Sequence, residues 1–113
     1  MKILIVEDNK IALKGMMKIL SEYPNIEICT AENGLMALEL LSENQSELPH
    51  FTLLDLNMPI MNGIEFLKEI KKHDSLKTIP VIIHTTSFNS SDVKKCEELG
   101  SSGYFVKELD MVK

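Results

Sequence analysis

Residues 51–59 read Phe-Thr-Leu-Leu-Asp-Leu-Asn-Met-Pro, a short apolar run that ends in an acid, Asp55. The run does not alternate apolar and polar residues, which is typical of a strand covered on both faces of a parallel sheet. An acid at its end is awkwardly placed for an ordinary loop residue, because acids are mostly exposed. This stretch therefore predicts a buried strand that brings a carboxylate to its own carboxyl end.

Four further runs of the same kind lie at residues 3–6, 26–30, 81–83 and 104–106. Between the runs, apolar residues recur at helical spacing. The four stripes are Leu13, Met16, Met17 and Leu20; Ala37, Leu38 and Leu41; Ile64, Leu67 and Ile70; and Val93, Cys96 and Leu99. The resulting order, β-α-β-α-β-α-β-α-β, predicts an open α/β sheet with right-handed crossovers.

Residues that favour helix ends separate these elements. Asn62 is placed to cap the third helix, and Asn89, Ser90 or Ser91 to cap the fourth. Gly100 fits a helix C-terminal stop. With no repeat or linker in between, we expect residues 1–113 to form a single domain.

Length and charge narrow the classes of function. The chain has 113 residues, the size of one small domain, and 12 basic against 17 acidic residues give a net charge of −5. This balance argues against direct nucleic-acid binding and against an anionic membrane, since both attract basic surfaces. Two distant cysteines, Cys29 and Cys96, and an N-terminus too short for a signal peptide favour a reducing compartment, so we expect a cytoplasmic protein.

Polar residues follow four of the five predicted strands. They are Glu7 and Asp8 after the first, Asp55 after the third, Thr85 after the fourth and Lys107 after the fifth. Each alone has an ordinary reading: Asp8 could cap the first helix, Thr85 is a common strand residue and Lys107 could be a surface lysine. Because ligands bind at the carboxyl ends of strands in open α/β sheets, their coincidence predicts a site.

Three converging carboxylates repel one another unless cations neutralise them. Lys107 supplies one positive charge, and Mg²⁺, which prefers oxygen ligands, would supply the rest. Such a site suits phosphoryl transfer with a carboxylate as nucleophile, and Thr85 would donate a hydrogen bond to a phosphoryl oxygen. Dinucleotide, P-loop and acyl-hydrolase motifs are absent, and Asn57 replaces the second aspartate of haloacid dehalogenases. The sequence thus predicts an aspartyl-phosphate site.

These residues carry a family resemblance across residues 1 to about 107. The chain resembles the receiver domain of bacterial two-component response regulators in five separated motifs: Glu7-Asp8, Asp55-Leu56-Asn57-Met58-Pro59, Gly63, residues 80–85 with Thr85, and residues 100–107 with Tyr104 and Lys107. The resemblance implies a flavodoxin-like, doubly wound sandwich. It would hold a five-stranded parallel sheet in the order 2-1-3-4-5, helices on both faces, and a fifth helix missing or truncated after about residue 107.

The resemblance also implies roles for the site residues. Asp55 would accept a phosphoryl group from a sensor histidine kinase or a histidine phosphotransfer protein. Mg²⁺ would be held by Asp8, by Asp55, by the backbone carbonyl of Asn57 and, through water, by Glu7. Lys107 would contact the acceptor carboxylate and the phosphoryl group.

By the same resemblance, phosphorylation would be read out through a switch pair. The Thr85 hydroxyl would move toward the phosphoryl oxygen and the Tyr104 ring would turn inward, remodelling the face of the fourth helix and fifth strand. Asn57 and Ser87 occupy the positions that tune hydrolysis of the acyl phosphate, and both are too small to block water.

The chain departs from the family pattern in two places. Glu108 stands where the family usually has a cis proline, so we expect a trans bond and a looser Lys107, for which Glu108 could compete. Only seven residues follow Val106, too few for a full fifth helix. Either the sequence is truncated, or a partner or a second copy in a homodimer covers the apolar face left open.

The leading hypothesis is a stand-alone receiver that switches a downstream protein target and is not a turnover enzyme. A Mg²⁺-dependent phosphatase or phosphotransferase on the same sheet edge is the first alternative. A degenerate receiver that serves as a constitutive interaction module is the second.

Overall fold

The computed structural model describes residues 1–107, which form five strands, four α-helices and one 3-10 turn. The strands are β1 (Lys2–Val6), β2 (Glu27–Ala31), β3 (Phe51–Leu54), β4 (Val81–Thr85) and β5 (Gly103–Val106). The helices are α1 (Lys10–Leu20), α2 (Gly34–Glu43), α3 (Gly63–Lys71) and α4 (Ser90–Glu98), with the 3-10 turn at Gln45–Glu47. The expectations about Glu108 and about a truncated fifth helix lie outside the described residues.

All five strands are parallel and lie in the order β2-β1-β3-β4-β5. The predicted fold class and strand order are therefore confirmed. β3 has the predicted bounds, whereas β2 begins one residue later than predicted and β4 continues to Thr85. This extension puts the hydroxyl of Thr85 on the last residue of the strand.

One face of the sheet packs against α2, α3 and α4. Most strand residues that point to it are buried, and Phe66, Leu67 and Ile70 of α3 belong to the same cluster. On the sheet side the cluster contains Leu4, Val6, Leu54, Val81 and Ile83. This face forms the main hydrophobic core.

The opposite face, which we call the α1 face, is only partly covered by the described residues 1–107. Leu53, Ile82, His84 and Phe105 alternate with the core residues and form, with α1, an apolar groove of about 300 Å³. The expectation that the apolar runs are buried on both faces is therefore wrong for β3, β4 and β5, and also for the edge strand β2, where Glu27 and Thr30 are exposed, although it holds for Ile3–Val6 of β1. The reason is that, within residues 1–107, α1 alone covers this face, and none of its own residues is buried.

Side-chain caps set where the helices begin. Asn62 caps α3 in a capping box with Glu65, as predicted, and of the three candidates Asn89, Ser90 and Ser91 it is Asn89 that caps α4. Gly100, with φ of +82°, follows the end of α4 in the left-handed conformation expected of a helix stop. The cap of α1 is Asn9, which accepts from two backbone N–H groups, so Asp8 is not the cap. No helix in the described part of the chain is long and apolar enough to cross a membrane.

Candidate functional site

The parallel register brings the ends of β1 and β3 together. Val6 is paired with Leu54, so the next residues along the two strands, Glu7 and Asp55, leave the sheet side by side. The Asp55 N–H donates to the Val6 carbonyl at 3.0 Å, which continues the ladder past the last strand residue. The backbone of the sheet therefore positions two of the predicted acids.

The three predicted carboxylates meet at this edge. One oxygen from each of Glu7, Asp8 and Asp55 lies within 4.8 Å of the other two. Glu7 is 2% exposed and Asp55 is 6% exposed, whereas Asp8 lies at the surface. Asp8 therefore forms the open side of a cluster whose other two acids are buried.

Lys107 brings the positive charge into the same cluster. The side-chain Nζ of Lys107 is bonded to Glu7 Oε1 and lies 3.6 Å from Asp55 Oδ2. The backbone N–H of Lys107 donates to the Thr85 carbonyl at 2.7 Å. The resemblance implied contact with Asp55, and here the closer partner of Lys107 is Glu7. The lysine thus bridges the two buried acids.

The electrostatics of the cluster favour an added cation. Burial raises the pKa of Glu7 and the neighbouring Asp55 raises it further, while Lys107 lowers it, and the balance is a raised pKa. Three ionised carboxylates and one ammonium would leave the site with two negative charges. A divalent cation with oxygen ligands balances such a donor set, so the residues present fit a metal site.

The loop after Asp55 is held against the acid. The Asn57 N–H donates to Asp55 Oδ1 at 3.3 Å, and the Asn57 amide donates to Thr86 Oγ1 at 3.5 Å. Gly63, the first residue of α3, lies so close that a Cβ there would be 2.4 Å from the Asp55 carbonyl oxygen. The sequence motif contained this glycine, and its close contact with the backbone of Asp55 gives the physical reason.

The predicted switch residues lie on the neighbouring strands β4 and β5. Thr85 is fully buried at the end of β4, and its Oγ1 accepts from the Ser87 N–H at 3.4 Å. The half-buried Tyr104 donates its hydroxyl hydrogen to the Ser87 carbonyl at 2.8 Å. Burial raises the pKa of the Tyr104 hydroxyl. Ser87 therefore contacts both residues of the predicted pair.

Sequence reasoning missed two polar residues in this region. Asp92 accepts from Ser87 Oγ at 2.6 Å, and Thr86 accepts from the amide of Asn57. Asp92 could have been predicted from the sequence, because an acid three residues after a helix N-cap commonly accepts a hydrogen bond from the start of the helix or the loop before it. His84, by contrast, points to the α1 face and lies outside the carboxylate cluster.

Comparison with known proteins identifies the family. The model of the response regulator receiver domain matches residues 3–113. The chain belongs to this family. It is 36% identical over 114 residues to the response regulator Rcp1 of Synechocystis sp. (strain ATCC 27184 / PCC 6803 / Kazusa), covering 96% of this chain and 78% of that protein.

Solved structures agree with this assignment. The Mn²⁺-bound form of Rcp1 superposes with a TM-score of 0.90 at 36% identity, over 97% of this chain and 83% of that one. The phosphorylated cyanobacterial phytochrome response regulator RcpA superposes with a TM-score of 0.91 at 34% identity, over 96% and 81% of the two chains. The same domain spans about half the length of three similar transcriptional regulatory proteins.

The receiver acts in phosphorelay signal transduction within two-component systems. Domains of this family interact with histidine kinases and with downstream targets. This is the function expected from the sequence, and neither alternative gains support from the relatives.

Proposed function

We propose that Asp55 is the phosphoryl acceptor of this receiver and that its donor is a phosphohistidine. An oxygen of the Asp55 carboxylate attacks phosphorus, a P–O bond forms and the P–N bond to the donor imidazole breaks. The electron pair of that bond leaves with the imidazole nitrogen, which takes up a proton. The observation that carries the proposal is the convergence of Glu7, Asp8, Asp55 and Lys107 in one cluster at the carboxyl edge of the sheet.

Lys107 and Thr85 are proposed to complete the catalytic set. The Lys107 ammonium lies 3.6 Å from Asp55 Oδ2, a position from which it can offset charge on a phosphoryl oxygen attached to that carboxylate. Because Thr85 Oγ1 accepts from the Ser87 N–H, its own proton is available to donate toward the site. Thr85 and Tyr104 would then form the switch, and Asn57 and Ser87 would tune hydrolysis.

The metal is proposed to be Mg²⁺, held by Asp8, Asp55 and the Asn57 carbonyl, with Glu7 acting through water. The support is the set of oxygen donors in this chain and the Mn²⁺ bound by the similar protein Rcp1 in its crystal structure. When bound, the cation would neutralise negative charge on the carboxylates and on the transferred group. The chain's own contribution is to hold the acids in place through the backbone ladder and the Lys107 bridge.

We further propose that the domain takes up and loses one phosphoryl group per cycle and is not a turnover enzyme on an external metabolite. Its partners would be a sensor histidine kinase or phosphotransfer protein and a downstream protein target, in the cytoplasm, without direct contact to nucleic acid or membrane. The net charge of −5 and the two free thiols, Cys29 and Cys96, support this setting.

A homodimer is proposed to cover the α1 face, on the strength of the exposed Phe105 in the apolar groove. Sedimentation should then show a dimer in the wild type and a monomer in Phe105→Lys. A monomeric wild type at high protein concentration would reject the homodimer.

The acceptor is tested by incubating the protein with Mg²⁺ and acetyl phosphate and measuring the intact mass. The wild type should gain one phosphoryl group, Asp55→Asn should gain none, and chelation of Mg²⁺ should suppress the gain. Asp74→Asn, which changes an exposed acid outside the site, should react like the wild type. Failure of the wild type to react where a control receiver reacts, or equal labelling of Asp55→Asn, would reject the proposal.

A further inference from the structure

Ser87 is bonded to three separate elements of the fold. Its N–H donates to Thr85 Oγ1 at the end of β4, its carbonyl accepts from the Tyr104 hydroxyl on β5, and its Oγ donates to Asp92 Oδ2 on α4. The last of these is the shortest, at 2.6 Å, against 3.4 Å and 2.8 Å for the other two. The position of this one residue therefore sets the surroundings of both hydroxyls.

Asp92 is the group best placed to hold Ser87 still. It lies in the first turn of α4, where a negative charge is favoured by the exposed N–H groups of the helix end. A hydrogen bond from a hydroxyl to a carboxylate is stronger than one between neutral groups, and its length here agrees with that strength. The Asn89 N–H donates to Ser87 Oγ at 3.4 Å, so the hydroxyl is held both as a donor and as an acceptor.

We infer that Asp92 is a positioning residue for the phosphoryl-accepting site, acting through Ser87 on Thr85 and Tyr104. The inference rests on the proposed function. While Asp92 holds Ser87, the Ser87 N–H fixes a lone pair of Thr85 Oγ1 and so directs the remaining O–H of Thr85. The same serine carbonyl anchors the Tyr104 hydroxyl, so any displacement of the residue 86–89 loop reaches α4, β4 and β5 together.

Removal of the Asp92 carboxylate should release the hydrogen bonds around Ser87 and leave the acids of the proposed metal site, Glu7, Asp8 and Asp55, unchanged. In Asp92→Ala the Ser87 hydroxyl loses its acceptor, Thr85 loses its fixed orientation and Tyr104 loses a rigid partner. Asp92→Asn keeps an oxygen acceptor at the same place. The asparagine variant should therefore restore most of what the alanine variant loses.

The test compares Asp92→Ala and Asp92→Asn with Glu97→Ala, which changes a matched acid on the exposed side of α4. All are made in a Tyr23→Phe background, because the chain has two tyrosines and no tryptophan, so Tyr104 becomes the single fluorescent reporter. Two quantities are measured: the rate of phosphorylation by acetyl phosphate with Mg²⁺, and the quenching of Tyr104 fluorescence by acrylamide without any phosphodonor.

In Asp92→Ala we expect phosphorylation to slow about three- to tenfold, the effect of one hydrogen bond, and quenching of Tyr104 to increase. Asp92→Asn and Glu97→Ala should stay within about twofold of the background protein. Unchanged rate and quenching in Asp92→Ala, or an asparagine variant as impaired as the alanine one, would overturn the inference.

The two proposals fail in different ways. If the background protein accepts no phosphoryl group, the assignment of Asp55 as acceptor fails, and with it the effect of Asp92 on phosphorylation. If the background protein is phosphorylated and the alanine variant matches it in both measurements, only the role of Asp92 fails. The phosphate-free quenching shows directly whether Asp92 holds the loop around Tyr104.

Discussion

Gly63 and Gly15 are both glycines but have opposite surroundings. They form a matched pair for testing how closely α3 packs against the backbone of Asp55. A Cβ on Gly63 would meet the Asp55 carbonyl oxygen at 2.4 Å and Leu56 Cα at 2.8 Å, both of them backbone atoms that cannot swing aside. A Cβ on Gly15, in the exposed middle of α1, would meet nothing within 4 Å. The two positions therefore differ in packing and not in residue type.

We predict that Gly63→Ala lowers the free energy of unfolding by about 1–3 kcal/mol, because the backbone at Asp55 must shift. Gly15→Ala should raise it by about 0.5–1 kcal/mol, because alanine loses less backbone entropy in a helix. Urea unfolding measures both, and phosphorylation by acetyl phosphate should fall only in the Gly63 variant. Equal stability of Gly63→Ala and the wild type would contradict the close packing of α3 against Asp55.

The neighbours Asp8 and Asn9 have different roles: Asn9 caps α1, whereas Asp8 belongs to the carboxylate cluster. Asn9 accepts from the N–H groups of Ile11 and Ala12. Both are favoured helix caps, so the sequence could not say which of them begins α1. Helix α1 begins at Lys10, so Asn9 takes the cap position and Asp8 stays in the carboxylate cluster.

We predict that Asn9→Ala lowers stability by about 1 kcal/mol with or without Mg²⁺, through loss of the cap. Asp8→Ala should keep the cap and lose the stabilisation by Mg²⁺, which in the wild type amounts to about 1.4 kcal/mol at tenfold excess over Kd. Urea unfolding with Mg²⁺ and with EDTA separates the two effects. A full Mg²⁺ response in Asp8→Ala would exclude Asp8 as a ligand.

At the scale of elements, β4 presents different chemistry on its two faces. Ile83 and Thr85 are buried toward the core and the site, while Ile82 and His84 line the groove on the α1 face. Burial lowers the pKa of His84, and the charge of Lys107 lowers it further, with Asp55 acting in the opposite direction. A strand with period-two alternation thus places an ionisable group in an apolar setting directly beside the site.

This geometry predicts acid sensitivity. Because the pKa of His84 is lower in the folded state than its ordinary value of 6.5, the unfolded chain binds the proton more readily. The contribution of His84 to stability is therefore present above about pH 6.5 and is lost as the pH falls through the lowered pKa. In His84→Gln, the loss of stability between pH 7.5 and the acidic range should be smaller than in the wild type.

Urea unfolding at several pH values measures how the free energy of unfolding changes with pH. This change can be compared between proteins even if their stabilities differ at neutral pH. His84→Leu should show the same flattening, because it also lacks a titrating group. Parallel pH profiles for the wild type and both variants would rule out His84 as the source.

At the scale of the whole molecule, the two faces of the sheet contribute unequally to stability. Phe66 on α3 is fully buried in the main core, whereas Phe105 on β5 is 61% exposed on the α1 face. We predict that Phe66→Ala lowers the free energy of unfolding by about 3–5 kcal/mol. Phe105→Ala should change it by about 0.5 kcal/mol or less in the monomer, because little of its surface leaves water on folding.

Chemical denaturation at low protein concentration compares the two variants. A loss in Phe105→Ala as large as that in Phe66→Ala would mean that the α1 face is covered in solution. Repeating the comparison at high protein concentration then reveals whether a second copy covers it.

The sequence alone determined the elements and the edge at which they meet. Short apolar runs rich in β-branched residues predict strands, and parallel strands carry the residues that follow them to one edge, so Glu7, Asp55, Thr85 and Lys107 could be placed together from the order of the elements. Asn62, Asn89 and Gly100 were equally readable, because caps and stops act on their immediate neighbours.

The partners that those residues take depend on the folded arrangement of the chain. Lys107 and Glu7 are 100 residues apart in the chain, and nothing local specifies that the lysine bonds more closely to Glu7 than to Asp55. The bond between Ser87 and Asp92 depends on how the residue 86–89 loop packs at the start of α4. The half-covered α1 face depends on which helices lie on it. The sequence shows which residues are apolar, whereas the burial of each one depends on which other parts of the chain pack against it.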